Sequence, residues 1–129
     1  MIYTELLKNM WNDLYNPKIE VIKTIDKYFH HDYEQCINGI SMKRNEYLQH
    51  VLEQRKNMTI NTIEYKQILE KENEIFAIYY PKGKNVDHLP IEAEVIAYSR
   101  FENKKIIRIH GLVRLIKGDL ADVDMLSTD

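Results

Sequence analysis

The chain is poor in the features that announce most functional classes. It holds a single cysteine, Cys36, which excludes a disulfide framework within one chain and any cysteine-rich zinc site. It has no excess of positive charge: Lys plus Arg number 18 against 20 Asp plus Glu, a formal charge of −2. The broad positive field of a nucleic-acid binder is therefore missing, and nucleic acid is not expected as a partner. No apolar run approaches the ~20 residues that span a bilayer, so no membrane association is expected. The opening stretch, MIYTELLKNMWNDLY, lacks the basic and apolar blocks of a secretory signal. What remains is 129 residues with 44% hydrophobic content, enough for one core in one domain in a reducing, cytoplasmic setting.

Two periodicities divide the chain near residue 60. Tyr3, Leu6, Leu7, Met10, Trp11 and Leu14 recur at helical spacing. Asn16-Pro17 reads as a cap and first turn of a second helix, with Glu20 early in it and Ile19, Ile22, Ile25 and Phe29 on its apolar stripe. A short irregular piece, residues 30–39, precedes a third helix capped by Ser41 and carrying Tyr47, Leu48, Val51 and Leu52. Beyond Asn57 the pattern becomes β-branched and aromatic. Thr62–Lys71 and Glu74–Tyr80 form a hairpin about Glu72-Asn73, the residues from Pro81 to Asn85 compose a turn or loop, and Ile91–Phe101 and Lys105–Lys117 form a second hairpin about Asn103-Lys104. Residues 118–129 hold four aspartates and no basic residue, an acidic tail expected to be a mobile end or a weakly docking flap.

Helices followed by a strongly curved, mainly antiparallel sheet make an α+β fold, with three N-terminal helices in the concave face of the sheet. Such a cone, closed at one end, encloses a pocket. The order of motifs is Met10-Trp11-Asn12, then Tyr28-Phe29-His30, then Asp32-Tyr33-Glu34-Gln35, then Gly39 before a helix, and finally the run from Phe101 to Ile109. In that order and spacing the chain resembles the SnoaL-like branch of the nuclear transport factor 2-like superfamily over residues 3–117. The resemblance implies a cone-shaped domain over residues 1–117 and a small-molecule pocket. Its members include ketosteroid isomerase, polyketide cyclases, dehydratases and an epoxide hydrolase, which work with acids or histidines whose pKa is shifted by burial.

The acids themselves do not carry over. The isomerase's general base falls near Ile37 or Asn38, its oxyanion-hole acid near Ala97 and its donor tyrosine near Trp11. The cyclase histidine falls on Cys36, and the acid of the last strand falls at about Gly111. A catalytic set is thus unassigned. The expected ligand-binding residues are Trp11, Tyr33, Gln35, Tyr47 and Tyr80, around a flat apolar cyclic molecule such as a polyketide, steroid or terpenoid. Tyr33 and Gln35 share a face if their segment is extended, whereas Tyr79 and Tyr80 point to opposite sides, so only one of those two reaches the pocket.

No cofactor is expected. The residues from Pro81 to Lys84 lack the glycine spacing and the Ser or Thr of a phosphate loop. His30-His31-Asp32 reads as a solvated helix end rather than a metal site, and Glu46 with His50 as a surface i, i+4 pair. On the last strand Ile106, Arg108, His110, Leu112, Arg114 and Ile116 form the outer face, because a cone interior does not accommodate two arginines. This mixed face suits an isologous homodimer. Two functions of different kind follow: a ligand-binding cone with enzyme-like ancestry, or a non-catalytic dimerisation or protein-interaction module.

Overall fold

The computed structural model describes residues 1–123. Asp124 and Asp129 of the acidic tail lie outside the described residues. Helices α1 (Ile2–Leu14), α2 (Val21–Tyr28) and α3 (Arg44–Asn57) pack on one six-stranded sheet of β1 (Phe29–Ile37), β2 (Ile40–Lys43), β3 (Met58–Lys71), β4 (Glu74–Asn85), β5 (Pro90–Glu102) and β6 (Lys105–Lys117). The strand order is β2-β1-β6-β5-β4-β3. Every neighbouring pair is antiparallel except β1 with β6. Register shifts in the β1–β6, β3–β4 and β5–β6 pairs act as bulges that bend the sheet around the helices. The α+β expectation with three helices in the concave face holds.

Several boundaries differ from the sequence reading. The second helix starts at Val21, not at Pro17. Asn16 Oδ1 instead accepts the Lys18 amide at 3.0 Å, an Asx turn between two helices, and Phe29 already belongs to β1. The stretch read as irregular is the hairpin β1–β2, whose turn Asn38-Gly39 has φ of 54° and 80°. An Asn-Gly pair is the residue choice that such a two-residue turn favours. Ser41 lies in β2, and the α3 cap is Lys43, whose amide donates to Glu46 Oε1 at 3.0 Å.

The segment from Pro81 to Asn85 is not a turn. It continues β4 opposite the start of β3, which begins at Met58 rather than Thr62. Gly83 is there because β3 passes so close that a Cβ would lie 1.8 Å from Thr59 O. Pairing of β4 with β5 lapses at Tyr80 and Pro81, where proline has no N–H to offer. The true turn comes next: Asn85 Oδ1 accepts the amides of Asp87 and Leu89 at 2.9 and 3.0 Å.

On β6 the turn Asn103-Lys104 has positive φ at both residues, and the register then shifts between Arg100 and Phe101. That bulge moves Ile106 from the expected outer face into the core, where it is fully buried beside Phe101. Beyond it the alternation is as expected: Ile109 is buried, while Arg108, His110 and Leu112 are exposed.

One side chain ties α3 to the end of α1 and the turn after it. Arg55 of α3 donates from Nε to Leu14 O at 2.9 Å, from Nη1 to Ile19 O at 2.5 Å and from Nη2 to Asp13 O at 3.2 Å, with a further short contact from Nη2 to Leu14 O. These carbonyls end α1 and line the turn after it, where no helical amide serves them. Arg55→Ala strips a charged donor from several partly buried acceptors at once. Its expected cost is about 3 kcal/mol, on the order of 10 °C in thermal midpoint, and Arg55→Lys recovers only part because the planar fork is lost. Thermal denaturation followed by circular dichroism checks both.

Candidate functional site

The cone holds a cavity of about 170 Å³, partly open to solvent. Its walls come from α1, α3 and all six strands, and are largely aliphatic: Ile37, Met42, Ile63, Ile91, Val95, Ile109, Val113 and Leu115 among others. Aromatic and amide groups interrupt them at Trp11, Tyr15, Gln35, Tyr47, His50, Gln54 and Tyr79. Among the described residues no Asp, Glu, Lys or Arg lines this cavity.

One buried hydrogen bond orients a polar group of the wall. The Tyr33 hydroxyl donates to Gln35 Oε1 at 2.7 Å in a buried contact. That fixes the amide orientation and leaves the Gln35 Nε2 hydrogens for the cavity. Tyr33 itself stands one layer behind, wedged by Phe29 (ring centroids 4.8 Å) and Tyr47 (5.7 Å), so it orients Gln35 without lining the space. Tyr15 and Tyr47 both line the cavity and influence each other electrostatically. Burial raises the Tyr15 phenol to about 12 despite the lowering effect of Tyr47, and pushes Tyr47 and Tyr79 well above their ordinary value. All three are neutral donors at physiological pH. The Trp11 indole sits beside Tyr79, with ring centroids 6.3 Å apart, and its buried Nε1–H makes no hydrogen bond of normal geometry.

Of the five expected ligand residues, Trp11, Gln35 and Tyr47 line the cavity and Tyr33 supports it from behind. Tyr80 requires correction. Its hydroxyl donates to Glu94 Oε2 at 2.8 Å beside Arg114 on the opposite face of the sheet, and strand alternation gives the inward place to Tyr79. Tyr15, Gln54 and Tyr79 went unassigned, and His50 was read as a surface group. Tyr15 follows Trp11 at i+4, and Gln54 follows Tyr47 at i+7 through His50 and Val51, so helical spacing carries that signal.

The positions where the resemblance places catalytic acids and a histidine are structural here. Asn38 spends its whole amide on Val113, donating to the carbonyl and accepting the amide N–H, both at 2.9 Å. Ala97 and Gly111 are register partners packed against each other. Cys36 follows inward-facing Gln35 and is half-buried. His30, His31 and Asp32 begin β1 rather than end a helix. Their donor atoms lie within 4.8 Å of one another, but His30 Nδ1 already accepts the Asp32 amide at 3.0 Å and its ring stacks on His31.

No protein-family profile matches this sequence, and no curated protein matches it. Solved structures do. An epoxide hydrolase of Mycobacterium tuberculosis described as LEH-like superposes with a TM-score of 0.71 at 10% identity, covering 87% of this chain and 82% of that one. A hypothetical protein of Catenulispora acidiphila with a ketosteroid isomerase-like fold, solved with trimethylamine, gives 0.70 at 9% identity over 95% and 94%. IdmH of Streptomyces antibioticus, a candidate polyketide cyclase, gives 0.67 at 12% identity over 86% and 91%. At these identities the likeness is one of architecture. The chain has the nuclear transport factor 2-like, ketosteroid isomerase-like cone fold, as its motif order implied.

Proposed function

We propose that this protein binds a small, ring-containing apolar molecule inside the cone, oriented by hydrogen bonds from Gln35 and the tyrosine hydroxyls. The single observation that carries this reading is the Tyr33–Gln35 pair, a buried amide held so that its donor side faces an otherwise aliphatic cavity. A core that served packing alone has no use for a polarised amide next to empty space. Among the described residues the wall holds no carboxylate. Proton abstraction by a carboxylate, the method of the related isomerases and cyclases, is therefore not part of the proposal. Among the described residues no helix is long and apolar enough to cross a membrane, and one free cysteine fits a reducing compartment such as the cytoplasm.

A second reading rests on the other side of the sheet. There Leu112, Ile116 and Phe76 are exposed among Arg108, His110 and Arg114, an apolar and charged mixture suited to a second copy of the chain. In this reading the domain is a homodimerisation module and the cavity is vestigial.

One experiment separates the two. Apolar cyclic compounds are screened for thermal stabilisation of the wild type, Trp11→Phe and Gln35→Ala, with sedimentation reporting the mass of the same samples. A ligand at about 100 times its Kd adds about 2.7 kcal/mol. Binding in the cone predicts that Gln35→Ala weakens the shift of a carbonyl- or hydroxyl-bearing compound and that both substitutions weaken the best one. A melting point that no compound moves, in a protein that sediments as a stable dimer, overturns the first reading in favour of the second.

A further inference from the structure

The cavity is small for the ligands that such cones suggest. An apolar space of ~150 Å³ holds one benzene ring, and pockets for drug-sized molecules run to about 300–1,000 Å³. At about 170 Å³ the cone, which is partly open to solvent, has room to bury one ring and not a whole fused polycycle. One of its walls, however, belongs to neither the helices nor the sheet. After β6, Gly118 turns the chain at φ +107°, and a Cβ there would press on Ile91 Cγ1 at 3.2 Å. The chain then makes a single 3₁₀ turn, Leu120–Val123, in which the Asp122 amide donates to Asp119 O. Val123 ends buried at 6% exposure between Met58 and Ile91 and lines the cavity.

Among the described residues, what holds this turn is slight. Val123 is its one buried side chain, while Leu120 stays exposed. Gln54 Nε2 donates to Val123 O at 2.9 Å, and Asn85 Nδ2 to Asp122 Oδ2 at 3.2 Å. Docking also has a cost: with its amide committed to Val123, Gln54 leaves Oε1 buried and unpartnered. An orphaned acceptor is relieved when the turn lifts and water reaches it. A glycine hinge, one apolar anchor and a polar group that prefers the open state are the properties of a segment from the low-stability end of a fold.

We propose that residues 118–123 form a hinged strap whose seated Val123 limits the buried space of the cone to one ring, a polycyclic molecule being buried in full only when the strap lifts about Gly118. The inference rests on the cavity being a binding site, and adds what sets the size of its occupant. Seated, the strap completes the wall around a small ligand. Lifted, it opens the end of the cone between α3 and the β3–β5 strands.

The test uses the full chain with two probes, p-cresol for one ring and N-phenyl-1-naphthylamine for three, and hydrogen exchange as a ligand-free readout. In the wild type the Asp122 amide is expected to exchange at least 100-fold faster than the Val113 amide, which Asn38 Oδ1 holds inside the sheet. Val123→Asp unseats the strap. It is expected to tighten binding of the three-ring probe at least tenfold and to weaken p-cresol, because the open state no longer has to be selected and the small ligand loses a wall. Should the buried charge impair folding, Val123→Ala shifts both affinities in the same directions by a smaller factor. Two affinities whose ratio is unchanged in these variants overturn the strap and leave the cavity reading intact. So does an Asp122 amide that exchanges only with global unfolding. Failure of both probes to bind any variant overturns the cavity reading, and the size limit with it.

Discussion

Above pH 10 the protein is expected to unfold in one steep transition, with a midpoint near pH 12. The cause is the cluster of phenols at the floor of the cone. Tyr33 (1% exposed), Tyr47 and Tyr79 are buried, and burial raises all three well above the ordinary phenol value of 10.0, neighbouring tyrosines adding to the shift. A raised value in the folded state means that the unfolded chain releases its phenol protons first. The stability these groups contribute is complete below pH 10 and is lost as pH rises toward their folded values. Each raised tyrosine removes about 1.4 kcal/mol per pH unit in that window, and three together about 4 kcal/mol per unit. A domain of ~5–15 kcal/mol does not survive two such units. Tyrosinate absorbance at 295 nm and the fluorescence of Trp11 report the transition independently, and the two curves should coincide. Phenols that ionise gradually while the Trp11 signal stays native would show that water reaches the floor of the cone in the folded state. Tyr47→Phe should make the transition shallower by about one quarter to one third, since one of the coupled protons is removed.

The same cluster shows where sequence reasoning succeeds and where it stops. Helical spacing alone put Trp11 and Tyr47 on inward faces, because period 3.6 and burial are linked by geometry whatever the fold. The pairing of Tyr33 with Gln35 followed from i, i+2 spacing once that segment was taken as extended. Whether it was extended depended on β6, where Ile109 lies opposite Gln35 from 74 residues away and supplies the parallel neighbour for β1. The short local signal, Asn38-Gly39, was the turn of a hairpin rather than part of a loop. The Pro81–Asn85 error has the same origin. Proline and glycine are turn residues by local preference, but here Pro81 sits where pairing with β5 lapses, and Gly83 where β3 leaves no room for a side chain. Both are responses to a neighbouring strand, and a strand's neighbours are not written in its own residues. Tyr79 and Tyr80 make the point at one position. Alternation says that they face opposite ways, and only the fold says which way is in.

The outer face was legible except at its first residue. Two arginines and a histidine placed Arg108, His110 and Arg114 outside, and the structure agrees. Ile106 failed because a two-residue turn and an inward Phe101 are compatible only through a bulge, and the bulge changes the phase of everything before it. Bulges of this kind also curve the sheet. The irregularity that defeats simple alternation on β6 belongs to the feature that makes a cone, and hence a cavity, possible at all.

Restoring the missing acid of the last strand is expected to fail for the same steric reason that it is missing. Gly111 is the position where the resemblance places an acid, and it faces inward opposite Ala97. A Cβ at Gly111 would stand 2.5 Å from Ile96 O and 2.9 Å from both Cα and Cβ of Ala97. Two of these are backbone atoms of β5 and the third is a methyl fixed to that backbone, so no rotamer relieves the clash; β5 and β6 have to separate. Gly111 also receives the Asn38 amide on its carbonyl at 3.1 Å, so movement of β6 disturbs its junction with β1 as well. Overpacking of this kind costs roughly 1–3 kcal/mol for Gly111→Ala, and Gly111→Asp adds a carboxyl without a partner, for a total loss of about 4 kcal/mol or more. Val113, two residues on and lining the cavity, is the informative contrast. Val113→Asp places the same carboxyl beside open space and is expected to cost at least about 1 kcal/mol less than Gly111→Asp. Urea denaturation of the three variants measures the order. A Gly111→Asp protein as stable as the wild type would mean that β5 and β6 separate freely, and that the absence of the acid is a matter of chemistry rather than of space.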